Sequence, residues 1–524
     1  MEVEKSPGFV ASANSPSADA KDVPTADVVI NASGHAEVLD RNFSLFSIVS
    51  LAITSGNTWI TLGGSITVAI YNGGPPGIIY EFIAVSVLYW LVAASIAELA
   101  SAMPSSGGVY HWASITAGRY GRSCGFFAGW WNFLAWIFGL ASTLQILSAQ
   151  LVSMYALMHP DFVTQRWHVF LTYVITTWIT CAIVLFFNRA LPRIEQLGGF
   201  LILAGVFITV VVCVVMPSTN GNGHATSASV WRDWTNTTGY SSDGFVFLAG
   251  MLNGAFAVGT PDITSHLAEE IPRPSHNIPK AMLAQFVVGF FTALFYIIAM
   301  LYAITNLDEI LTSTFLFPLT AIYQQATGSA GGALGLLVVV FLPTFISVFG
   351  VYLTASRVFW TLARDNATPF SGFFGRVNEK TKNPFNSIVL CAVISTVLGC
   401  IYIGSSTAFS AFVGSFCVLG FFSYLAPILP HLLGGRNSVA PGPFWMGRVG
   451  FVVNAISCLF IIAFSIIFCF PFSLPVAAPT MNYASLISGG LTIFVAAFWF
   501  WRQKDYIGPR YVPLDAAELA KDAI

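Results

Sequence analysis

Six charged side chains fall within or at the edges of long apolar runs: Glu81, Glu98, Asp262, Glu269, Glu270 and Arg357. An ionised group at bilayer depth costs about 3 kcal/mol or more on insertion scales, so such residues mark solute or ion pathways unless they reach an interface. Most of the six lie near run ends, where snorkelling accounts for them. Asp262 does not. It follows Gly254, Gly259 and Pro261 in FVFLAGMLNGAFAVGTPDITSHLAEEI (Phe245–Ile271), where glycine weakens the helix and proline removes a backbone donor. Non-helical backbone at membrane depth is tolerated where protein or a water-filled cavity satisfies it, so a break followed by a carboxylate points to a binding site. A simple kink is the competing reading. His266 titrates near neutral pH in its ordinary state, though a helix-end histidine bonded to a neighbour is the plainer reading. No motif sets a nucleophile beside a base, and no His or Cys cluster offers a metal site, so neither an enzyme nor a bound cofactor is expected.

The elements that must position these residues follow from composition. Hydrophobic residues make up 56% of the 524 and charged residues 9%, far from soluble globular usage, so the chain reads as an all-α polytopic membrane protein. The lipid bilayer is therefore an obligatory partner. A formal net charge of −2 and scattered basic residues give no nucleic-acid footprint. The eight cysteines lie in or beside apolar runs without a CxxC pair and read as small packing residues. Residues 1–42 are polar and read as a disordered cytoplasmic tail without a cleavable signal, and 503–524 as a second tail. Between them, runs of about twenty residues or more predict twelve spans: 46–70, 78–100, 125–156, 168–187, 197–216, 245–268, 283–304, 333–362, 387–404, 408–432, 450–471 and 484–501. With the N-terminus inside, the outer loops hold only Arg166 and Arg232 while the other loop and tail lysines and arginines are cytoplasmic, which places both termini inside. Of the sequons at Asn31, Asn42, Asn236 and Asn366, only Asn236 then faces a glycosylating lumen.

Span 1 is interrupted much like span 6. Ser55, Gly56, Asn57, Thr58 and Thr61 form a polar, weakly helical patch, with Gly63 and Gly64 beyond it. Broken helices five positions apart are what an inverted repeat predicts, here 46–216 against 245–432, with 450–501 supplying helices 11 and 12 of a domain covering 43–502. Close helix approach through small residues is the alternative. Free amides and carbonyls at such breaks suit an anionic and an ammonium group respectively. Aromatic faces add cation–π attraction for a quaternary ammonium, about 2 kcal/mol when desolvated. Trp59, Trp130, Trp131, Trp136 and Phe256 are candidate faces, with Trp59 and Phe256 preferred, and Asn132 is the polar residue among the span 3 aromatics. Around the second break, Gly254, Ala257 and Gly259 would line the same site.

Several stretches resemble one family. PSSGGVYHWAS at 104–114 resembles the Pro-x-Ser-Gly-Gly-x-Tyr signature after the second helix of the amino acid, polyamine and organocation transporter superfamily. HLAEEIPRPSHNIPKAM at 266–282 is similar to the loop after that superfamily's sixth helix. The run from Tyr71 to Trp112 and TASRVFWTLARDNATPF at 354–370 are similar to its fungal amino acid and choline transporter branch, which includes choline and gamma-aminobutyrate permeases. The resemblance spans about 42–505 and implies a five-plus-five inverted repeat with two extra helices and a substrate held between unwound parts of helices 1 and 6. It implies unwinding over Asn57 to Thr61, an aromatic over the solute at Phe256, and a gate-side acid at Asp262. The family's Gly-small-Gly after the first break is replaced by Thr58, Trp59, Ile60 and Thr61.

The expected function is secondary transport of a small amino acid or an organic amine such as choline or gamma-aminobutyrate by alternating access, with protons as the preferred coupling ion. No basic residue lies in the expected span 5, where some proton-coupled relatives carry a lysine, and Thr354 with Ser356 is too generic for a sodium site. A transporter-fold nutrient sensor and a carrier of a specialised metabolite are the alternatives, and nothing requires an oligomer. Glu98 and Glu269 or Glu270 are expected to pair with Arg119 or Arg364 as a cytoplasmic gate.

Overall fold

The computed structural model describes residues 34–35, 39, 41–66, 70–405, 407–478 and 480–509. Among the described residues eleven helices are long and apolar enough to cross a membrane, and the shorter apolar helix Asp243–Val258 stands in sixth place, so each expected span has a helix. Span 1 is Leu45–Gly56 continued by Thr58–Gly64, and spans 2 to 6 are Gly74–Ala102, Gly121–Met158, Arg166–Phe186, Leu191–Thr219 and Asp243–Val258. Spans 7 to 12 are Pro274–Ala303, Ala330–Arg364, Phe385–Gly404, Ala408–Leu433, Val449–Ile467 and Ala484–Arg502. The chain is thus an all-α, multi-pass integral membrane protein.

Apolar runs locate helices but understate their ends, because the terminal turns leave the hydrocarbon and can carry polar residues. Span 5 begins at Leu191 rather than 197, which draws Glu195 into a helix, and span 7 begins at Pro274 rather than 283. Proline in the first turn of spans 2, 5 and 7 occupies a position whose amide would be unpaired anyway. Serine caps start spans 1, 6 and 8: the side chains of Ser44, Ser242 and Ser329 accept from the amides of Ser47, Phe245 and Gly332.

Two groups of helices emerge from the packing. Spans 2 and 6 each pack on span 7's bundle, with span 7 against both span 1 and span 2 and span 6 against span 2; spans 3, 4, 8 and 9 pack on one another. Span 5 lies against spans 1, 7 and 8, and span 10 lies along span 3 and also meets spans 6 and 11. At the end opposite the PSSGG loop, strands Asn72–Gly73 and Thr235–Asn236 pair antiparallel and tie the loop after span 1 to the loop before span 6. In that ribbon Asn236 donates to Tyr240 O at 2.9 Å and to Asp243 Oδ1 at 3.0 Å, while its own Oδ1 accepts from Thr238 Oγ1 at 2.7 Å.

A candidate solute site between two broken helices

The break in span 1 is narrower than expected. Only Asn57 leaves the helix, at φ 42° and ψ 39°, and the helix resumes at Thr58, so the proposed unwinding over Asn57 to Thr61 contracts to one residue. Asparagine tolerates this left-handed conformation better than most residues, which allows so short a break. The backbone ladder runs to Asn57 N–H on Ile53 O (3.0 Å) and continues from Thr61 N–H on Asn57 O (2.9 Å). A left-handed residue between two helical ends leaves nearby carbonyls and amides without helical partners.

The break in span 6 is longer. The helix ends at Val258, an irregular stretch carries Thr260 to Thr264, and a 3-10 turn runs Ser265–Glu270. Gln285 of span 7 joins the two breaks: its Nε2 donates to Thr260 Oγ1 at 2.7 Å and Thr260 O at 3.2 Å, and a methyl group added at Gly56 would come within 3.0 Å of that nitrogen.

Asp262 is the hub of this region and is fully buried. Its Oδ2 accepts from Asn132 Nδ2 at 2.7 Å and from Trp136 Nε1 at 3.3 Å, and lies 2.9 Å from His266 Nε2. Its Oδ1 accepts from Tyr424 OH at 2.7 Å, a hydroxyl also 3.3 Å from Gly259 O. Spans 3, 6 and 10 therefore converge on one carboxylate. The other nitrogen of His266 lies 3.1 Å from Ser106 O, which can only accept, so Nδ1 carries a hydrogen. Nε2 is thereby turned toward Oδ2. The PSSGG loop explains itself here: Gly108, at φ 50°, passes so close that an added Cβ would lie 2.7 Å from His266 Cε1.

The amides beside the hub are oriented by acceptors. Asn132 and Gln285 each commit their NH2 groups, which leaves Asn132 Oδ1 and Gln285 Oε1 buried without a donor among the described residues, as is Asn57 Oδ1. Phe256 meets Phe416 edge to face at 5.5 Å, and Trp136 meets the same ring at 6.0 Å. Ala257 is buried, and Gly259 brings its backbone against Phe416 and Tyr89.

Not every expected residue joins this cluster. Trp59 turns away: it packs on Tyr296 at 4.8 Å and faces Gly205 of span 5, because the helix resumes immediately after Asn57 and carries it to the far side. Gly254 is a packing residue, since an added Cβ would stand 2.6 Å from Val85 Cγ1 of span 2. Trp130 donates to Ala367 O and Trp131 to Thr492 Oγ1, both away from the breaks. Thr58 packs on Gly289 of span 7, and Thr61 accepts at its carbonyl from Ser65 Oγ.

Ion pairs of the expected acids lie on the PSSGG side. Arg364 grips Glu269 through two contacts at 3.1 and 3.3 Å, Arg357 Nε meets Glu270 Oε1 at 2.9 Å, and Arg436 pairs with Glu98. Arg119 is in none of these pairs; its short turn points it to solvent, over the Tyr120 ring at 4.6 Å. Arg357 and Arg436 thus take places for which sequence reasoning had chosen other arginines.

Tyr424, Phe416, Gln285 and Glu195 had not been singled out. Glu195 is buried with neither carboxylate oxygen partnered among the described residues, and its Oε1 and the unpartnered Ser55 Oγ both face Gly350 of span 8. The sequence signal for it was the helix-initiating Leu-Pro pair just before it.

Paired helix breaks around a buried polar hub, with ion pairs at one end, form an architecture found in membrane transporters. Residues 43–496 match the family described as amino acid permease, and the chain belongs to that family, within the amino acid, polyamine and organocation superfamily. It is 31% identical to the choline transporter of Saccharomyces cerevisiae over 89% of this chain and 82% of that protein. It is 29% identical to the swainsonine transporter swnT of Arthroderma benhamiae (92% and 96% covered) and 26% identical to the amino-acid permease BAT1 of Arabidopsis thaliana (93% and 97%).

Proposed function

We propose that the chain carries a small solute bearing an ammonium group, an amino acid or an organic amine of the choline kind, bound between the two breaks and moved by alternating access. The observation that carries this reading is the set of oxygens without a donor among the described residues: Asn57 Oδ1 at the first break, Gln285 Oε1 on the side chain that meets Thr260 at the second, and Asn132 Oδ1 on the amide bonded to the buried Asp262 carboxylate. Buried acceptors without partners are costly, and an ammonium N–H or a solute hydroxyl satisfies them. Phe256, Phe416 and Trp136 supply ring faces and edges for the apolar part of the cation. The names of the relatives support both an amine and an amino acid. A specialised metabolite is the second reading, favoured by the swainsonine transporter relative.

Transport in this reading is proton-coupled through the Asp262–His266 pair, which lies beside the solute. The basic loops support a cytoplasmic location for both termini, with the protein in the plasma membrane and Asn236 open to glycosylation. The two halves, 46–216 and 245–432, act as an inverted repeat, and the three ion pairs close the cytoplasmic side. The test is uptake of labelled choline, gamma-aminobutyrate and a panel of amino acids into vesicles with and without an inward proton gradient. At least one is expected to accumulate only with the gradient; no accumulation of any, with the protein correctly inserted, would reject the reading.

A further inference from the structure

A cavity of about 410 Å³ lies between spans 2 and 7, apart from the break site. One wall is Ala93, Ala94 and Ala97, whose small side chains leave the space, and the facing wall is Met282, Leu283 and Phe286. Leu283 is 66% exposed on the outer surface of span 7, so the slot opens sideways toward lipid.

One end of this apolar slot is polar. Ser275 is 1% exposed and its Oγ has no partner among the described residues, and His276 Nδ1 is likewise buried and unpartnered. Lys280 is exposed at the same end, with no ion-pair partner among the described residues. All three stand in the first two turns of the 30-residue helix that begins at Pro274, where the helix dipole favours an anion. Val287, the far wall, is seven residues beyond Lys280, about 10 Å along the helix, which is room for the upper part of one acyl chain within a leaflet.

We propose that this slot binds an anionic phospholipid, its headgroup on Ser275, His276 and Lys280 and one acyl chain along the alanine face of span 2. Charge selects the headgroup, and the leaflet beside the basic loops is the one in which anionic lipids concentrate when those loops are cytoplasmic. The site also reaches the gate. Phe444, which lines the slot, donates its amide to Ser101 Oγ at 2.9 Å, and two residues on, Met446 N–H donates to Glu98 Oε1 at 2.9 Å, the carboxylate paired with Arg436. A lipid seated under Phe444 thereby steadies the loop that holds this ion pair.

Binding is read on the purified full-length protein by native mass spectrometry and thermal unfolding, with phosphatidylserine or phosphatidylcholine of equal chain length as the probes. Phosphatidylserine is expected to bind several-fold more tightly and raise the unfolding midpoint. Lys280→Gln should weaken that preference about fivefold and Lys280→Glu abolish it. Ala97→Phe should block both lipids by filling the slot while the protein still unfolds cooperatively. Equal binding of the two lipids, an unchanged preference in Lys280→Glu, or selective displacement by a sterol would overturn the proposal.

Discussion

Asp262 carries more of this protein's polar organisation than any residue near it, because donors from three spans end on it. Removing one member of a buried, hydrogen-bonded charged pair costs about 3–5 kcal/mol, much of it from the partner left behind. Asp262→Asn is therefore expected to lower the unfolding midpoint sharply, as is His266→Gln, and the double variant Asp262→Asn with His266→Gln to recover part of that loss. A thermal-shift double-mutant cycle measures the coupling, and an additive pair would show that the two are not coupled. At Phe256, truncation to Ala should leave the fold intact and raise KM about 30-fold for a quaternary ammonium, as expected for about 2 kcal/mol of cation–π attraction. The first residue was legible in the sequence because it follows a visible break. Tyr424 was not, since nothing in an apolar helix 162 residues away announces which carboxylate its hydroxyl will meet. Trp59 shows the converse: its type suits the site, but a single left-handed residue decides which way it points.

At the scale of elements, the two breaks are made differently. Span 6 is broken by composition, with Gly259 and Pro261 in sequence, and any reading of helix propensity finds it. Span 1 is broken at one asparagine, so its polar patch signalled the place while leaving its extent open. The conformation at Asn57 makes a direct prediction. Glycine adopts φ 42° without penalty and valine does not, because a β-branched side chain meets its own carbonyl there. Asn57→Gly should fold and insert normally, whereas Asn57→Val should reduce the folded fraction recovered in detergent, measured by monodisperse yield. Equal yields would mean that the break is imposed by packing and not by this residue. Helix ends were the least legible feature throughout: the first turns of spans 5 and 7 are polar enough to pass for loop, and both Glu195 and the headgroup end of the lipid slot lie there.

For the whole molecule, the decisive arrangement is that the ion pairs join groups of helices and not neighbours within one group. Glu269 and Glu270, at the end of the span 6 break, reach Arg364 and Arg357 of span 8, while Glu98 of span 2 reaches Arg436 after span 10. Span 2 packs with spans 6 and 7, and span 8 packs with spans 3, 4 and 9, so these pairs cross the boundary along which one bundle would rock. In the proposed transport cycle, each pair would part as that end opens. Losing one changes the balance between closed and open states by its differential energy alone, and a shift of about 3 kcal/mol moves a population more than a hundredfold. Arg364→Ala and Glu269→Gln are each expected to open this end, and the charge-swapped double variant Arg364→Glu with Glu269→Arg to close it again. Thiol labelling of Ser106→Cys in inside-out vesicles reads the opening directly, since Ser106 lies beneath the Glu269 amide and against His266. Faster labelling in both single variants, reversed in the double, would assign the pairs to the gate. Unchanged labelling with unchanged uptake would make them static supports, and the moving boundary would then have to run elsewhere in the bundle.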